Sequence, residues 1–231
     1  MFKLNEYASA AQLTQAMTDH IVSALNNGIK TRGFASIAVS GGKTPIPLFK
    51  QLSQQHLDWS KVYITLVDDR WVDSNDDASN EKLVFMHLLQ NEAKQAHFIG
   101  LKNSATTPFA GESITQKKLA EIPMPLDVVI LGMGEDGHTA SLFPHAKNLP
   151  LGLDMHSSKQ VVGMTPLTAP LDRITLTLPA ILNSHNIYLL LVGTSKKTVL
   201  EQAIQGNNIT DMPIRAILQQ KNVDVTGFWC E

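Results

Sequence analysis

The sequence has one cysteine, Cys230, among its 231 residues. No internal disulfide can form, and nothing argues for an oxidising compartment. It has no apolar run approaching the ~18 residues needed to span a bilayer, and its start, MFKLNEYASAAQ, has no basic cluster followed by an apolar stretch. A cytoplasmic protein without membrane contact is therefore expected. An excess of one charge sign is also missing: 19 Lys and Arg stand against 21 Asp and Glu, interspersed, for a net charge of -2. Without a global field to draw nucleic acid, any anionic ligand must be held by a local site. Neither HExxH nor paired cysteines occur, so no metal and no cofactor are expected, and the absence of GxSxG argues against a serine-nucleophile esterase.

What is present is an ordinary globular composition, 43% hydrophobic and 17% charged. A chain of this size can bury one substantial core, so a single domain over residues 1–231 is expected, as a monomer or weak homodimer. Ser9 is placed to cap a helix running to about Asn27. Leu13, Met17, Ile21 and Leu25 recur on one face of it, and Gly28 stands at its end. Short apolar runs follow at Ala35–Val39, Val62–Val67, Asp127–Leu131 and Ile187–Val192. Each meets a turn rich in glycine or charge: Ser40-Gly41-Gly42, Asp68-Asp69-Arg70, Gly132-Met133-Gly134 and Gly193-Thr194-Ser195-Lys196. A helix over Thr198–Ile204 is expected after the last of these. Continuous apolar strands alternating with helices predict an α/β fold, a mostly parallel Rossmann-like sheet with helices on both faces. Shorter candidates at Gln160–Met164, Arg173–Leu178 and Val223–Phe228 are read as extending that sheet. The irregular segment from Pro144 to Ser158 is a candidate cover over the site.

In open parallel sheets ligands lie beyond the carboxyl ends of the strands, which directs attention to these turns. Ser40-Gly41-Gly42-Lys43-Thr44-Pro45 offers unobstructed N–H groups, two hydroxyls and a helix start, a plausible phosphate cradle. The spacing is not that of a Walker loop, and a plain glycine turn capped by Thr44 is the alternative. Residues 132–137 fit GxGxxG, but Pro144 cuts short the helix that a dinucleotide site requires, so that reading is set aside. His138 follows this turn directly, with Asp136 two residues before it. An imidazole beside a carboxylate can accept a proton from water, and its place in a glycine turn at a strand's carboxyl end separates His138 from His20, His56, His87, His97 and His185. Asp68, Asp69 and Arg70 together form either an internal ion pair or a cluster in which one carboxylate orients His138 or a sugar hydroxyl. Arg173 and Lys196 are cations of the kind that bind phosphate, or else solvated surface charges.

With these residues in view, the chain resembles the 6-phosphogluconolactonase family, within a larger group that includes glucosamine-6-phosphate deaminases. The likeness runs through SGGKTP at 40–45, VDDRWV at 67–72, SNE at 79–81, LGMGEDGHTASLFP at 131–144, RITLTLPAI at 173–181 and GTSKK at 193–197. It implies hydrolysis of a phosphorylated sugar lactone, 6-phospho-D-glucono-1,5-lactone, in the oxidative branch of the pentose phosphate pathway. By the same resemblance Ser40, Gly41, Gly42, Thr44 and Lys196 would contact the phosphate, and Arg70 and Arg173 would grip the substrate. His138 would be the acid/base, with Asp68 and Asp136 nearby. Asp69 departs from many relatives, which have glutamate there. The deaminases resemble DGHIAFNEP where this chain has Asp136 to Pro144, so their catalytic glutamate position is Phe143. A deaminase or isomerase, and a non-catalytic sugar-phosphate sensor, are the alternatives; a sensor would be expected to carry a partner domain for which 231 residues leave no room.

Overall fold

The computed structural model describes all residues from Met1 to Glu231. In chain order the elements are β1 (Phe2–Tyr7), α1 (Ala10–Arg32), β2 (Ala35–Val39), α2 (Ile46–Leu52), β3 (Val62–Leu66), β4 (Asp68–Arg70), α3 (Asn80–His87), β5 (His97–Ile99) and α4 (Pro108–Leu119). There follow β6 (Val128–Leu131), α5 (Leu149–Leu153), β7 (Val161–Met164), β8 (Arg173–Leu176), α6 (Leu178–Leu182), β9 (Asn186–Val192), α7 (Thr194–Gln205), α8 (Ile214–Leu218) and β10 (Asp224–Cys230). Seven strands form the main sheet in the order β1-β10-β9-β6-β2-β3-β5, every neighbouring pair parallel. The expected α/β architecture is thus present, with the central strands buried along their whole length, as a sheet covered on both faces requires.

Two expected strands lie elsewhere. β7 and β8 do not extend the main sheet; they pair antiparallel with each other and with β4 in a second sheet of order β4-β8-β7. The junction is at Val67. Its amide bonds back to Val39 in the main sheet, while its carbonyl accepts from Leu176, the last residue of β8, so the chain passes from one sheet to the other there. Asp68-Asp69-Arg70 is therefore a short strand and not a strand-to-helix turn.

The helix opened by Ser9 is capped as expected: the Ser9 hydroxyl accepts from the Gln12 amide, and Leu13, Met17, Ile21 and Leu25 are buried. It runs one turn past Gly28, to Arg32, and ends at Gly33 in the left-handed conformation. Tertiary contacts override the glycine here. Arg32 bonds Asp127 and the Pro125 carbonyl at 3.0 Å, and a Cβ on Gly28 would stand 2.6 Å from an Asp127 oxygen, so Gly28 is where the helix approaches a carboxylate. α7 likewise begins four residues earlier than expected, at Thr194, with Gly193 before it. The segment from Pro144 to Ser158 contains α5, whose Leu149 is buried, and Asn148 donates to the Gly163 carbonyl on β7. It lines the second sheet, and none of its residues borders the cavity described next.

Candidate active site

The carboxyl ends of β2, β6 and β9 and the pocket-facing side of the small sheet enclose a cavity of about 320 Å³. Ser40, Gly41, Gly42 and Thr44 border it from the first turn, Asp68 and Arg70 from β4, Arg173 from β8, His138 from the turn after β6 and Lys196 from α7. Of the ten residues singled out from the sequence, nine border this one space. Asp136 does not, but it holds His138.

His138 is held from three directions. Its Nδ1 lies 2.6 Å from Asp136 Oδ1, which also accepts the His138 amide at 3.1 Å. The Phe143 ring lies 4.3 Å from the imidazole, centre to centre, tilted by 30°. Gly134 passes beneath: its amide donates to the His138 carbonyl, and a Cβ there would sit 2.1 Å from the ring nitrogen. Only glycine permits that approach. Because Nδ1–H is the natural donor to the carboxylate, the neutral ring keeps its lone pair on Nε2. Burial alone would raise the Asp136 carboxyl, but the bonds it accepts from the His138 ring and amide outweigh burial and hold it below the usual carboxylate range. The turn is fixed at both ends. Thr139 donates to the Gly132 carbonyl at 2.8 Å, and the Gly137 carbonyl accepts from Ile214 at 2.9 Å. No helix follows the glycines, in keeping with the rejection of a dinucleotide site.

The small sheet supplies concentrated charge. Arg70 and Arg173 are direct cross-strand partners, an arrangement that repels unless something anionic relieves it. Neither forms a salt bridge with a carboxylate, and nor does Lys196. The internal ion pair considered for Arg70 is thus not formed; its guanidinium donates to the Ala78 carbonyl at 3.0 Å and to Asn80 Oδ1 at 2.7 Å. Arg173 is 8% exposed, not a solvated surface charge; it donates to the carbonyls of Pro170 and Leu171 and faces the Phe143 ring. Burial and then the charge of Arg70 lower its pKa, partly offset by Asp68 and Asp69.

Asp68 is 7% exposed and accepts the Ser141 hydroxyl, while the Ser141 amide donates to Thr175 on β8. These bonds tie the histidine turn to the small sheet. Asp69 is 1% exposed and accepts amides from Arg70, Asn80 and Glu81; burial pushes its carboxyl up to about 6 against the opposing effect of those amides. Thr44 does not cap α2, whose first turn has no side-chain cap, so the hydroxyl remains at the cavity wall. Two wall or anchor residues escaped the reading of single motifs, Asn80 and Ser141. Both lie within stretches that resemble the family, but neither is set apart by charge or by a glycine turn.

The family described as glucosamine-6-phosphate isomerases/6-phosphogluconolactonase matches residues 8–226. The chain belongs to this family. Among relatives of the 6-phosphogluconolactonase branch, proteins of that name from Rhizobium meliloti and Neisseria meningitidis are 40% and 38% identical, over 96% and 100% of both chains respectively. The crystal structure of a 6-phosphogluconolactonase from Shewanella baltica superimposes with a TM-score of 0.98 at 46% identity, covering 100% of this chain and 98% of that one. Within the 6-phosphogluconolactonase family fold, the cavity at the sheet ends is the place where the chain's buried charge, glycine turns and one bordering histidine converge.

Proposed function

We propose that the chain, as one catalytic unit over residues 1–231, hydrolyses 6-phospho-D-glucono-1,5-lactone to 6-phospho-D-gluconate. The observation that carries this reading is the meeting in one cavity of a carboxylate-oriented imidazole and three cations that no carboxylate pairs. The phosphate dianion is held by the amides of the turn at Ser40, Gly41 and Gly42, by Thr44 and by Lys196, while Arg70 and Arg173 grip the substrate from the small sheet. C1 then lies beside His138. Nε2 takes a proton from water as the oxygen attacks the carbonyl, and Asp136 steadies the imidazolium that forms. As the tetrahedral intermediate collapses, the bond from C1 to the ring oxygen breaks and the proton on Nε2 passes to that oxygen. The carboxylic acid then releases its own proton. Asp68, anchored by Ser141, faces the cavity and orients a sugar hydroxyl.

Phe143 weighs against deamination. An apolar ring, 4% exposed, stands where the resemblance puts the deaminases' glutamate, and no carboxylate replaces it in the cavity wall apart from Asp68. Proton release from freshly made 6-phosphogluconolactone, corrected for spontaneous hydrolysis, tests the reading. Acceleration over the uncatalysed rate is expected, with no ammonia released from glucosamine 6-phosphate; ammonia release without lactone hydrolysis would reverse the assignment.

A further inference from the structure

Asn80 opens α3, is 2% exposed, and yet reaches the cavity wall. Its bonds run to one strand and one side chain. The amide nitrogen Nδ2 donates to the Asp68 carbonyl at 2.8 Å, and Oδ1 accepts from Arg70 Nη1 at 2.7 Å. Its backbone N–H donates to Asp69 Oδ1 at 2.7 Å, the same oxygen that accepts the Arg70 amide at 2.8 Å. On its other side the glycine turn presses against it: a Cβ on Gly41 would lie 1.8 Å from Asn80 Oδ1 and 2.6 Å from Nδ2. Gly41 does not lie in the left-handed region, so its backbone is open to alanine and the side chain of Asn80 is what excludes one.

An asparagine suits this place for reasons of hydrogen-bond inventory. The site needs one acceptor towards a guanidinium and one donor towards a carbonyl, on a short planar group. Aspartate would set an oxygen against the Asp68 carbonyl and would neutralise the charge of Arg70. Leucine would leave the Asp68 carbonyl without this donor and Arg70 Nη1 with the Ala78 carbonyl alone. The neutral amide keeps the guanidinium cationic and restricts its rotation without competing with an anionic ligand for its charge.

From this geometry we infer that Asn80 is a positioning residue: it aims Arg70 into the cavity and locks that arginine to the Gly41 turn, so that two anion-gripping elements from different sheets act as one preformed unit. The inference rests on the reading of Arg70 as a substrate contact given under the proposed function. It adds a residue whose own side chain needs no contact with substrate.

The test is a double-mutant cycle of Asn80→Ala and Arg70→Ala, read as KM and kcat for the lactone and as the affinity for 6-phosphogluconate. Asn80→Ala is expected to raise KM about 10-fold with kcat nearly unchanged, the effect of a weakened charged hydrogen bond. In the double variant the loss should not exceed that of Arg70→Ala alone. Additive losses would overturn the inference while leaving lactone hydrolysis intact. A second pair guards against a folding defect. Gly41→Ala alone should weaken binding, whereas adding it to Asn80→Ala should cost nothing more; a further loss would show that Gly41 is not locked against Asn80. Nitrogen-15 spectra supply a readout that needs no turnover. Slowly rotating Nη1 hydrogens on Arg70 are expected in the unaltered protein and averaged ones in Asn80→Ala; an unchanged Arg70 signal would sink the inference even if the protein hydrolysed no lactone.

Discussion

The two sheets contribute to the cavity in opposite ways. The parallel sheet offers backbone: the turns after β2 and β6 are glycine-rich, and even His138 is held by the close passage of Gly134. The antiparallel sheet offers side-chain charge, with Asp68, Arg70 and Arg173 on adjacent strands and Arg70 directly across from Arg173. The difference follows from what each kind of strand end can present. Parallel strands end together, and the chain must leave the sheet there in a turn, which favours small residues and free amides. Antiparallel partners place side chains opposite one another, which concentrates like charge at a cost that a bound anion relieves. Under the proposed function, the catalytic step falls to the parallel sheet and much of the grip on substrate to the antiparallel one.

That division can be broken by substitution. The largest effect is expected for His138→Ala, which should lower kcat on the order of 10²- to 10⁴-fold with little change in KM, the range for loss of a general base. Steady-state kinetics decide it, and a near-normal kcat would remove the histidine from the chemistry. On the other sheet, Arg173→Ala should act chiefly on KM, raising it about 10- to 100-fold for loss of a buried charge-assisted contact. A fall in kcat alone would erase the distinction between the sheets. Lys196→Ala should raise KM by less, about 3- to 10-fold, because this half-exposed ammonium holds phosphate as a flexible point charge; inhibition by 6-phosphogluconate offers a parallel measure.

The smallest effect concerns stability. The folded Asp69 carboxyl titrates at about 6, above its ordinary value of 3.8. A raised value means that the folded state favours the protonated form. Its stabilising contribution is therefore complete below about 4 and is lost as pH rises through about 6. The Tm of the unaltered protein minus that of Asp69→Asn should accordingly shrink between pH 4 and pH 7. A difference that widens over that window would mean the three amides, and not burial, govern this carboxyl.

Much of the site was legible beforehand because glycine turns and charged clusters at strand ends are local signals. The apolar periodicity of Leu13, Met17, Ile21 and Leu25 and the run Ala35–Val39 carried the same local character. Asn80 and Ser141 were not legible. Each is an ordinary polar residue whose partners are 10 or more residues away: Arg70 for Asn80, and Asp68 and Thr175 for Ser141. The affiliation of β7 and β8 was hidden for a related reason, since an apolar strand does not declare which edge it will join.

What the sequence determined by itself was the alternation of strand and helix, the glycine turns and the inventory of charge, because each depends on residues close together in the chain. What only the tertiary structure decided was the departure at Val67 into a second sheet, the pairing of Arg70 with Arg173, and the locking of Gly41 against Asn80. Those depend on which distant segments exclude water together, and burial is a property of the assembled core that no local stretch of chain contains.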